Sequence, residues 1–96
     1  MNIIWSRRAR IGLEKVINYL KEVWTENEVL NLERRLEAIF NQLKKQPEMF
    51  PATSRKANLR KAVVDKNNYL IYRWDPADER IIVIIFRGTR QKPIHL

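Results

Sequence analysis

The sequence predicts an α+β domain of order β-α-α-β-β-β, in which a helical hairpin packs on a small, mainly antiparallel sheet. Two stretches in the first half repeat apolar residues at helical spacing, and the sequence between them reads as a helix cap. Beyond Pro51 the pattern changes to short runs rich in Val, Ile, Tyr and Trp, divided by polar turns.

Asn2 to Trp5 is a short β-favouring stretch that stops at Ser6, whose hydroxyl suits the N-cap of a helix. Ala9, Leu13, Val16, Ile17, Leu20 and Trp24 then fall on one helical stripe, which predicts a first helix over about 7–24. Thr25-Glu26-Asn27-Glu28 has the spacing of a capping box, in which Thr25 and Glu28 satisfy each other's free backbone N–H groups. The second stripe comprises Val29, Leu32, Leu36, Ile39, Phe40 and Leu43. It ends near Gln46, because Pro47 disfavours helical geometry in the residue before it. So short a connection makes the two helices an antiparallel pair with both stripes on one face of the sheet.

Met49 to Ala57 reads as a loop. Three strands follow, at Leu59 to Asp65, Tyr69 to Trp74 and Arg80 to Phe86. Lys66-Asn67-Asn68 is a tight polar connection, and Asp75-Pro76-Ala77-Asp78 places Pro at the second position of a type I turn. Ile81 to Phe86 lacks polar alternation and so reads as an interior strand covered on both sides. In the middle run Leu70, Tyr72 and Trp74 form the apolar face suited to lie under the helices, which leaves Tyr69, Ile71 and Arg73 on the other.

With 96 residues the chain is one domain, 1–96, too small for a multi-site enzyme. Lys and Arg number 19 against 11 Asp and Glu, a net charge of +8. Residues 1–50 contribute nine basic and seven acidic groups, but residues 51–96 contribute ten and four, so the positive excess belongs to the second half. Such an excess favours phosphate polymers or acidic protein surfaces. The absence of Cys excludes a disulfide framework, a thiolate metal site and a cysteine nucleophile. Cysteine usage and the lack of a long apolar run predict a cytoplasmic protein with no membrane partner.

The residues suited to an anionic partner are Arg55, Lys56, Arg60, Arg73, Arg87 and Arg90, since guanidinium groups give bidentate bonds to phosphate. These groups are expected to gather over the uncovered side of the sheet. A lone His95 offers no metal cluster, but its imidazole suits general acid or base chemistry if the tail folds over the basic face. No metal or cofactor is expected.

The order of these motifs resembles the RelE/ParE toxins of bacterial type II toxin–antitoxin pairs. Ile3-Ile4-Trp5-Ser6-Arg7-Arg8-Ala9 looks like the family's strand followed by "WSxxA", Leu59-Arg60-Lys61 resembles its "LR" motif, Tyr69 to Tyr72 its "YxIxY" strand, and Ile82 to Arg87 its last strand. The resemblance implies a growth-inhibiting toxin neutralised by a cognate antitoxin. RelE-like members act as mRNA interferases on ribosome-bound mRNA, whereas ParE-like members poison DNA gyrase. On the first model Arg60 and Arg87 correspond to phosphate-holding catalytic arginines, Arg55 or Lys56 to basic residues before the sheet, and His95 to a catalytic His. The tail after Gly88 holds no Tyr, which RelE-like nucleases carry there. A different class of reading, from charge alone, is a nucleic-acid-binding module without toxin activity.

Overall fold

The computed structural model describes residues 2–23, 26–54 and 58–89. Its elements are β1 (Asn2–Trp5), α1 (Arg7–Val23), α2 (Glu26–Lys45), β2 (Ala52–Ser54), β3 (Leu59–Val63), β4 (Asn68–Asp75) and β5 (Arg80–Gly88). The expected order is present, with one addition. β2 arises within the stretch read as a loop, because three residues are too few to set a period and the strand exists only through its pairing with β3.

The strands form one sheet in the order β1-β5-β4-β3-β2. β1 runs parallel to β5, and all other neighbours are antiparallel. β5 is thus interior, as its unbroken apolar run predicts, and its Ile81, Val83, Ile85 and Phe86 are buried.

The helical side carries the main core. Val29, Leu32, Leu36, Ile39 and Leu43 of α2 are all buried, a spacing that keeps one stripe of the helix on the sheet. Leu70 and Tyr72 lie beneath, with Trp74 packed against the same cluster. α1 is different. Only Ala9 is buried, while Leu13, Val16, Ile17 and Leu20 are half-buried against the core. Gly12 lets the α1 backbone come close to β5, since a Cβ there would overlap the Phe86 carbonyl oxygen.

A β-bulge resets the faces of β5. Ile71 pairs with Ile85 but Tyr72 pairs with Val83, which leaves Ile84 as an extra residue. In consequence Ile84 and Ile85 both reach the second apolar cluster, with Leu59, Tyr69 and Ile71, on the side away from the helices. Phe86 returns to the helical side beside Ile81 and Val83.

Two turns refine the sequence reading. At the β3–β4 tip the Asn67 amide donates to Asp65 Oδ1 at 2.7 Å, and Asn68 Nδ2 donates to the same carboxylate. At the β4–β5 tip the turn bond runs from the Glu79 amide to the Pro76 carbonyl, so Pro76 takes the first position and not the expected second. This longer tip puts Glu79 at φ 48°. It also brings Arg80 Nε to Asp75 at 3.3 Å and its Nη2 to Asp78 at 3.5 Å.

Candidate partner-binding groove and the placement of the arginines

The half-buried stripe of α1 opens into a groove of about 1140 Å³ between α1, α2, the β3–β4 tip and the end of β5. Its floor is apolar, formed by Val16, Leu20, Leu32 and Phe86, and Ile11 and Tyr19 stand exposed along one wall. The steps from Ile11 to Lys15 to Tyr19 are four residues each, so the three share one helical face just beside the core stripe. The rim is basic: Arg8, Lys15, Arg35 and Lys66 line it, against Glu28 and Asp65, and the end of β5 at Arg87 borders it from a register position on the sheet's other face.

The far wall is fixed by hydrogen bonds. The Val64 amide donates to the Asn68 carbonyl at 2.9 Å, and Thr89 donates through its amide to Asn67 O at 2.8 Å and through its hydroxyl to Lys66 O at 2.9 Å. The turn carrying Lys66 is thereby tied to the end of β5, which carries Arg87. Three of the four rim cations, Arg8, Lys15 and Arg35, come from the helices. The half-by-half charge count missed them because it averaged over acidic residues on the helices' outer faces. A helical projection of Ile11, Lys15 and Tyr19 carries the signal.

The sheet arginines do not gather on one face. Arg60 pairs with Tyr72 across β3 and β4, which places it on the helical side. There its Nη1 donates to the Glu48 carbonyl at 3.0 Å and to the Phe50 carbonyl at 2.7 Å. Arg87 pairs with Tyr69 on the opposite side, and Arg73 pairs with Leu59, also opposite. From the register, Arg60 and Arg87 sit about 10 Å apart along the strands and about 10 Å across them, on different faces. Arg73 on β4 and Arg87 on β5, opposite Tyr69, share a face but are offset by four residues, about 13 Å, along the strands. The physical reason is strand alternation, which puts Arg60 in step with Ala62 and Val64 in the main core. Lys61, on the other face, holds its ammonium 4.4 Å from the Tyr69 ring centroid. Arg55, Lys56, Arg90 and His95 lie outside the described residues.

Beneath Arg60 the Tyr72 hydroxyl donates to the Pro47 carbonyl at 2.6 Å. Burial pushes its pKa above the ordinary value of 10.0, with the Phe50 backbone and the Arg60 charge pulling partly the other way. Among the described residues no group of three His, Cys, Asp or Glu side chains is placed to hold a metal ion, and no helix is long and apolar enough to cross a membrane.

The model of the ParE toxin family, of the type II toxin–antitoxin system parDE, matches residues 3–92. The chain belongs to the ParE toxin family. The fold agrees. A YoeB/ParE toxin from Agrobacterium tumefaciens superposes with a TM-score of 0.65 at 13% identity, over 92% of this chain and 98% of that one. The solution structure of the conserved hypothetical protein HP0892 from Helicobacter pylori gives a TM-score of 0.60 at 12% identity, over 93% and 94%. No curated protein sequence matches the chain. The toxin is thus one half of a toxin–antitoxin pair, and that membership implies an antitoxin partner.

Proposed function

We propose that this toxin arrests growth by poisoning DNA gyrase, and that its antitoxin silences it through an acidic amphipathic segment seated in the α1–α2 groove. The observation that carries the target is the separation of Arg60 from Arg87. Cleavage of mRNA calls for guanidinium groups converging on one phosphate, whereas here one is bonded to loop carbonyls on the helical side and the other lies on the opposite face. The missing tail Tyr and the match to a parDE family model support the same reading.

The seat of the antitoxin rests on charge and shape. An apolar floor with four cations and two anions at its rim suits a segment with one apolar face and a surplus of Asp or Glu. Purified gyrase incubated with the toxin and plasmid should accumulate broken DNA, and addition of the antitoxin should abolish this. Unaltered supercoiling, together with mRNA cut inside translated codons after toxin expression, would overturn gyrase as the target. Salt-dependent nucleic-acid binding without growth arrest would leave only the basic binding module.

A further inference from the structure

We infer that Arg60 is a positioning residue: its guanidinium clasps the α2–β2 connection to the sheet instead of holding a phosphate. Four of the five carbonyls from Pro47 to Pro51 are taken by groups of β3 and β4. Tyr72 donates its hydroxyl to Pro47, Arg60 Nη1 donates to both Glu48 and Phe50, and the Lys61 amide donates to Pro51 at 3.0 Å. The Phe50 ring stands edge-on to Tyr72 at 6.3 Å, which closes the loop over the same spot.

The Nη1 end of the Arg60 fork is therefore spent on the backbone. An anion drawn to Nη1 would have to compete with two charge-assisted bonds to backbone carbonyls. Its Nε–H is buried with no hydrogen-bond partner among the described residues, so this edge of the fork faces protein and not an open site. The clasp acts at a distance. The connection it fixes leads into β2, whose Ala52 pairs with Arg60 itself, and β2 leads on to Arg55 and Lys56 in the chain. Arg60 thus helps hold the start of β2 at the sheet edge. This deepens the toxin reading by giving Arg60 a role other than the phosphate contact, and it is tested on the isolated protein, independently of the gyrase assay.

Two measurements test it. In nitrogen-15 spectra of the wild-type protein the Arg60 Nε–H should give a slowly exchanging resonance that stays in place when inorganic phosphate is added. A saturable shift of that resonance would overturn the clasp. In Arg60→Met the amides of Met49 and Lys61 should exchange at least tenfold faster than in the wild type, while Leu70 and Phe86 keep their protection. Arg60→Lys should restore much of the loss, because one ammonium can donate to both carbonyls. Unchanged exchange at Met49 and Lys61 in Arg60→Met would equally overturn the assignment, and if that variant does not fold, the wild-type titration decides.

Discussion

Ser6 and Ile84 are joined across 78 positions of sequence by one hydroxyl. Ser6 Oγ donates to the Ile84 carbonyl at 2.7 Å and accepts from the Ala9 amide at 3.0 Å. The residue that caps α1 therefore also satisfies the bulged residue of β5, and the Ser6 amide adds a bond to Val83 O at 2.9 Å. Capping, the bulge and the parallel β1–β5 pairing meet at one side chain.

Ser6→Ala should cost about 1–2 kcal/mol, since it removes a helix cap and leaves a part-buried carbonyl without its donor. The melting temperature should fall by roughly 4–8 °C for each kcal/mol in a domain of this size. Ser6→Asp keeps an acceptor for Ala9 but cannot donate to Ile84, so it should not recover the full loss. Equal stability of Ser6→Asp and the wild type would show that the cap alone matters.

Gly12→Ala tests the close approach of α1 to β5. Alanine favours a helix over glycine by about 1 kcal/mol, but the new methyl would meet the Phe86 carbonyl in an interior strand that has little room to yield. Overpacking of this kind typically costs about 1–3 kcal/mol, so the net effect should be destabilising. Urea unfolding would reveal it as a lower midpoint, and a higher one would mean that α1 lifts off the sheet without cost.

Glu79 sits at φ 48°, where a side chain is strained and glycine is not. Glu79→Gly should raise stability by about 0.5–1 kcal/mol, with part of the gain offset by the freer unfolded chain. Asn58, at φ 50°, already has a side chain suited to that region, so Asn58→Ala should lower stability by a similar amount. Thermal melts of the two variants should move in opposite directions.

The Tyr72 hydroxyl links stability to alkaline pH. Its folded pKa is raised, so the neutral form is favoured in the native state. The contribution is complete below the unfolded value near 10 and is lost as pH rises from there through the folded value. Tyr72→Phe should cost about 1 kcal/mol at neutral pH through loss of the bond to Pro47, and should flatten the decline above pH 10. Urea midpoints measured between pH 8 and 11 would separate the two effects; a parallel decline in both proteins would assign it to other groups.

Ile11 is 42% exposed on the groove wall, so a charge there should leave the fold intact. Ile11→Glu should weaken the antitoxin complex about tenfold, roughly 1.4 kcal/mol, by setting an anion against an acidic segment. Cells expressing this variant with the antitoxin should arrest. Full protection by the antitoxin would move its seat off α1.

Much of the fold was legible before any coordinates, because the period of apolar residues reports which face of each element is covered. The stripe from Val29 to Leu43, the Ser6 cap, the interior position of Ile81 to Phe86 and the inward face of Leu70, Tyr72 and Trp74 all follow from spacing and residue type. The resemblance to the RelE/ParE toxins was legible as well, from the motifs at Ile3 to Ala9, Leu59 to Lys61, Tyr69 to Tyr72 and Ile82 to Arg87, and the family model bears it out. Tertiary structure alone decided the rest. A strand of three residues, Ala52–Ser54, exists only through its partner, and the extra residue Ile84 turns Ile85 and Phe86 to faces that strict alternation would have reversed. The same holds for the arginines. Sequence counts the charges on a chain, but only the register of β3 on β4 sends Arg60 to the loop carbonyls and Arg73 to the other face, and only the packing of α1 beside α2 brings Arg8, Lys15 and Arg35 to the rim of one groove.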